Sequence, residues 1–191
     1  MTAQPQFSGG FRNAPIDAAH AFRAVMTVMA RPGEVRAISG SHPPAPLSVA
    51  AGTVLLTLCD PDTKVHLAGD ANTDAVRQWL TFHTGAPLSD AADADFAVGT
   101  WEALSPLGAY RVGTPEYPDR SATLIVECDT LTQTGAALTG PGIKDVAHLS
   151  LPDIGALQLN SALYPLGCDF FFTCGDQIAA LPRSTQITAE G

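Results

Sequence analysis

The densest apolar patterning lies late in the chain, where Phe170, Phe171 and Phe172 precede Gly175-Asp176 and the run Ile178-Ala179-Ala180-Leu181. An apolar run, a Gly-Asp turn and a second apolar run ended by Pro182 predict a β-hairpin. Consecutive phenylalanines point to opposite faces of a strand, so the pattern predicts a strand covered on both sides. The rest of the chain must supply the covers.

Upstream, Asp17 is placed to cap a helix over residues 18–29, with Phe22, Val25, Met26 and Met29 at i, i+3, i+4 and i+7 forming its expected core stripe. Arg31 suits the negative end of that helix, and Pro32-Gly33 stops it before a short alternating strand over 34–38. Ser48 can cap the apolar run 49–59. Its β-branched residues suit a strand, whereas its length favours a buried helix. After the turn Asp60-Pro61-Asp62-Thr63, residues 64–68 alternate as a strand, and Thr73 or Asp74 opens a helix carrying Val76, Trp79, Leu80 and Phe82. Residues 95–99 and 121–128 read as further strands, separated by a Pro/Gly-rich loop with a short helix. Residues 136–139 and 148–151 flank Gly140-Pro141-Gly142 as a second hairpin-like unit, and Pro152 opens a weak helix over 154–163.

Helices interleaved with strands predict an α/β fold, a single layered domain with a mixed sheet covered by helices. Its expected bounds are 16–185, with a flexible segment over 1–15 and a tail over 186–191. A chain of 191 residues buries enough surface for a large core without disulfide or metal staples.

Charge narrows the partners. Ten Lys and Arg against nineteen Asp and Glu leave a formal net charge of -9, which opposes nucleic acid and anionic membranes. Cys59, Cys128, Cys168 and Cys174 sit in or beside apolar runs without CxxC spacing, and the scattered histidines supply no zinc pattern, so no metal is expected. No stretch approaches the roughly 18 apolar residues of a membrane span, and the first 15 residues do not read as a secretory leader. A cytoplasmic protein with reduced thiols is the expectation.

The candidate chemistry is sparse. Gly140 and Gly142 can present backbone N–H groups to an anion, or can simply form a turn. Arg23, Arg31 and Arg183 each offer a planar fork suited to phosphate or carboxylate, if they converge, or to ordinary surface and interface pairs if they do not. His20 and His83 suit packing or capping. There is no GxSxG elbow and no cysteine in an electropositive setting, so no catalytic residue is assigned.

Taken in order, several stretches resemble the PhnH family, the H subunit of the bacterial carbon–phosphorus lyase system. They are Phe22-Arg23 with Met29-Ala30-Arg31-Pro32-Gly33, then Val54-Leu55-Leu56-Thr57-Leu58, and Phe82-His83-Thr84-Gly85-Ala86-Pro87-Leu88. Leu138-Thr139-Gly140-Pro141-Gly142-Ile143 follows, and Tyr164-Pro165-Leu166-Gly167 with Pro182-Arg183-Ser184-Thr185 completes the set. The resemblance implies a fold similar to the large domain of pyridoxal-phosphate transferases, without their cofactor lysine, and hence no cofactor. Neither Lys64 nor Lys144 matches a Schiff-base context. It further implies a homodimer when alone and docking onto the other lyase subunits. Those partners together form α-D-ribose 1-methylphosphonate 5-triphosphate from ATP and methylphosphonate, and a radical iron–sulfur partner later breaks the carbon–phosphorus bond. This chain lacks a cysteine cluster for such a centre.

The expected function is therefore that of a subunit acting jointly with partners. The alternatives are a free-standing small-molecule transferase, using pyridoxal phosphate through Lys64 or Lys144, and an anion-binding module built on the glycine turn and Arg183. Phe171 is expected in the core, and Arg183→Ala is expected to spare stability.

Overall fold

The computed structural model describes residues 8–189. The reading of 1–15 as a flexible segment falls partly on residues 1–7, outside the described ones, and α1 begins within it at Ala14.

The hairpin is present: β7 (Asp169–Cys174) pairs antiparallel with β8 (Gln177–Leu181), in a register that sets Phe171 opposite Ala180. It lies inside a six-stranded mixed sheet of order β1-β8-β7-β4-β3-β2. Here β1 is Arg36–Ala37, β2 is Val65–Leu67, β3 is Phe96–Thr100 and β4 is Thr123–Glu127. Strands β2, β3, β4 and β7 run parallel, while β8 and β1 add an antiparallel edge.

The three phenylalanines divide between two cores. Phe171 joins Val98 and Ile125 on the face covered by α1 (Ala14–Ala30), α2 (Val49–Leu58) and α3 (Asp74–Thr84). Phe170 and Phe172 face the other way, with Leu124, Val126 and Trp101. That second face is covered by α4 (Trp101–Leu104), α5 (Ile154–Ser161) and a small antiparallel sheet of order β6-β5-β9. Its strands are β5 (Ala136–Thr139), β6 (Ala147–Leu149) and β9 (Gln186–Thr188). Residues 186–188, read from the sequence as the start of a tail, thus form an edge strand held by buried Ile187.

Caps fix the helices as the sequence predicts. The Ser48 hydroxyl accepts from Ala51 N–H at 3.0 Å, so the apolar run after it is the buried helix α2. Thr73 accepts from Val76 N–H at the start of α3, whose Val76, Trp79 and Leu80 are buried.

Helix α1 departs from expectation. Asn13 is its N-cap, and the Asp17 carboxylate accepts from Asn13 N–H at 2.9 Å. Its buried face is Ala21, Val25 and Val28, while Phe22 and Met26 of the expected stripe stand about half exposed. The small Ala21 and the branched valines allow a closer approach to α2 than Phe22 and Met26 permit, so the apolar band is wider than the face the fold uses.

Candidate functional site

The glycine turn and the end of α1 come together. Arg31, Pro32, Gly33 and Glu34 form one wall of an open cavity of about 510 Å³, and Gly142, Lys144, Asp145 and His148 form the other. Helix α1 ends at Ala30 because Pro32 lacks an N–H and Gly33 takes a positive φ of 93°. The contact is tight: a Cβ at Gly33 would stand 2.6 Å from the Ala147 Cβ, and one at Gly142 would stand 2.0 Å from the Ala30 carbonyl oxygen. Gln133 Nε2 donates to the Gly33 carbonyl at 3.0 Å and ties the loop before β5 to the same turn.

The electrostatics of this cavity are mixed. Glu34 accepts from Arg36 Nε and Nη2 at 3.0 and 2.7 Å and from Arg31 Nη1 at 3.4 Å. The hydrogen bond from Arg36 comes first in holding its carboxyl below the usual range, against a smaller opposing effect of burial. Arg31 is mainly exposed, and exposed Lys144 adds a second cation across from it.

The remaining sequence candidates lie elsewhere. Gly140 packs against the 184–186 turn, where a Cβ would meet the Ser184 carbonyl oxygen at 3.2 Å. Arg183 N–H and Nε donate to Asp169 Oδ1 at 2.8 and 3.1 Å, and Nη2 donates to Oδ2 at 2.5 Å. Its Nη1 donates to the Pro118 carbonyl at 2.6 Å, so the guanidinium is largely committed inside the protein. Arg23 is exposed on α1. The cavity that holds Arg31 is lined by neither Arg23 nor Arg183, so the three arginines do not share it.

A second cleft, about 290 Å³, opens at the C-terminal ends of β3 and β4, the end at which open α/β sheets bind ligands. Thr100, Trp101, Glu102, Glu127, Cys128 and Asp129 line it. Glu127 was not legible as special, since it reads as the polar end of an apolar strand. Its Oε1 accepts from Ser48 N–H at 2.7 Å and its Oε2 from the Thr173 hydroxyl at 2.9 Å, joining β4, β7 and the start of α2. Burial raises its carboxyl above the ordinary value, although both hydrogen bonds oppose the shift. Among the described residues, no group of three His, Cys, Asp or Glu side chains is placed to hold a metal ion. No helix of the described residues is long and apolar enough to cross a membrane.

Two of the stretches that carry the family resemblance, the end of α1 and the glycine turn, therefore meet in space, and the 182–185 turn adjoins Gly140. Comparison with known proteins bears on the family resemblance along the whole chain. The chain is 40% identical to the α-D-ribose 1-methylphosphonate 5-triphosphate synthase subunit PhnH of Rhizobium meliloti (strain 1021), over 100% of both chains. It is 28% identical to the putative C-P lyase subunit protein HtxG of Stutzerimonas stutzeri, over 90% of this chain and 86% of that one. The family model described as bacterial phosphonate metabolism protein (PhnH) matches residues 9–188, and the chain belongs to that family.

Proposed function

We propose that this chain is a subunit of the carbon–phosphorus lyase machinery of phosphonate catabolism. It is required with partner subunits for making α-D-ribose 1-methylphosphonate 5-triphosphate from ATP and methylphosphonate. The observation that carries this reading is the 40% identity, over the full length of both chains, to a relative named as a subunit of that synthase. The site geometry is in keeping with a shared role. The cavity at the end of α1 is open and holds cations and carboxylates together, and the described residues offer no converged catalytic set.

The same reading includes a homodimer when the chain is alone, a cytoplasmic location, and a core akin to the large domain of pyridoxal-phosphate transferases without its lysine. Lys64 and Lys144 are both exposed, which favours this over an imine-forming enzyme. Arg23, Arg31, Gly140, Gly142 and Arg183 remain the proposed binding or interface positions. Arg31 and Gly142 carry most of that proposal, because they line one cavity.

The test is affinity purification of the tagged chain from its native host grown on methylphosphonate, with mass spectrometry of what accompanies it. Stoichiometric recovery of other lyase subunits is expected. Conversion of ATP and methylphosphonate to the ribosyl product by the purified chain alone would overturn the dependence on partners.

A further inference from the structure

Cys174 is the last residue of β7, and Cys128 extends β4 by one residue. The parallel register pairs Glu127 with Thr173, and Cys128 N–H donates to the Thr173 carbonyl at 2.8 Å, so the ladder continues and sets the two cysteines side by side. Alternation from Val126 and Phe172 puts both thiols on the same face, and both pack against the same core. Neighbouring strands lie about 4.8 Å apart. That separation falls inside the Cα window of about 4.4–6.8 Å that a disulfide needs. Cys128 Sγ donates to the Val126 carbonyl at 3.6 Å and Cys174 Sγ to the Asp129 carbonyl at 3.4 Å, so both sulfurs sit at the strand ends.

The other two cysteines are differently placed. Cys59 belongs to the core on the opposite face, and Cys168 precedes β7 at the far end of the strand from Cys174. Both are buried, whereas Cys128 and Cys174 are partly open. Cys128 lines the cleft at the C-terminal end of the parallel strands.

We propose that Cys128 and Cys174 are a redox-active dithiol, closed to an intramolecular disulfide by a small-molecule disulfide such as oxidised glutathione. In the first step the Cys174 thiolate attacks one sulfur of the oxidant, forming a mixed disulfide and releasing one thiol. In the second, the Cys128 thiolate attacks the Cys174 sulfur, the new S–S bond forms, and the second thiol leaves. The protein loses two protons and two electrons, and the oxidant gains them as two thiols. Burial, with the Cys174 thiolate beside it, pushes the Cys128 thiol up to about 12. This order of attack suits that environment. Formation of the neutral mixed disulfide removes the neighbouring charge, the smaller of the two causes, and against the burial that remains the second attack has the advantage of being intramolecular.

This inference rests on the sheet register, not on the assembly role, so the two fail separately. The full chain is incubated with oxidised glutathione, the remaining thiols are alkylated, and the unreduced digest is read by mass spectrometry. A peptide linked through Cys128 and Cys174 is expected, in monomeric protein, with free thiols falling from the four of the reduced chain to two. Dithiothreitol should reverse it, and Cys128→Ser should trap glutathione on Cys174. A lasting glutathione adduct on wild-type Cys174, a link only between two chains, or no loss of thiols would each overturn the proposal.

Discussion

A Cβ on Gly142 would stand 2.0 Å from the carbonyl oxygen of Ala30, and Gly142 has a φ of +83° that other residues rarely adopt. The glycine turn is therefore seated on the carbonyl end of α1, which carries negative partial charge and does not favour an anion. Gly142→Ala must relieve both a backbone clash and a strained φ, and the second alone costs about 1–3 kcal/mol. Urea unfolding should show a loss of at least about 2 kcal/mol. A loss below about 1 kcal/mol would mean that the turn lifts away freely and that its glycines serve something other than close packing.

Arg183 yields a prediction opposite to the one read from the sequence. Its side chain and that of Asp169 are 14% and 16% exposed, and the pair is bidentate, with a further bond to Pro118. Removing the guanidinium leaves a largely buried carboxylate without its main side-chain partner. Arg183→Ala should cost about 2–3 kcal/mol in denaturant melts, as hydrogen bonds to charged groups do. A change within about 0.5 kcal/mol would return Arg183 to the class of ordinary surface residues.

What the sequence revealed follows from where its signals are strong. The Phe170–Phe172 run, the Gly175 turn and the Ser48 cap are local, and each placed its element correctly. The Arg183 partner was hidden in a register that can be counted. Phe170 pairs with Leu181, so Asp169 falls opposite Pro182 and beside Arg183. The rotation of α1 was not countable, because Phe22 and Met26 are as apolar as the residues actually buried and only packing against α2 decides between them. Strand β9 is three residues long, too short for alternation to distinguish it from a tail. Glu127 gains its role from Ser48 and Thr173, which are distant in sequence and near only in the fold.

Phe171 is 2% exposed and is the aromatic ring that β7 sends to the helix-covered core formed by α1, α2 and α3. Phe171→Ala leaves a large cavity between sheet and helices and should cost about 3–5 kcal/mol. The check is the urea midpoint at unchanged slope. A cost under about 1 kcal/mol would mean the layers collapse onto the gap without resistance.

Glu127 makes a pH-dependent prediction with a definite sign. Burial raises its folded-state value above the 4.5 of a free side chain, so the folded protein holds the Glu127 proton more tightly than the unfolded chain does. Its contribution is fully present below the unfolded value and is lost as pH rises through the folded one. Glu127→Gln keeps an oxygen for Ser48 N–H and cannot ionise. The stability of the wild type relative to this variant should therefore fall as pH rises above the free side chain's 4.5, other titrations cancelling in the difference. Urea melts of both proteins across that rise decide the matter. Parallel profiles would mean that the Ser48 and Thr173 hydrogen bonds fully offset burial, and a wild type that gains with pH would mean that they outweigh it.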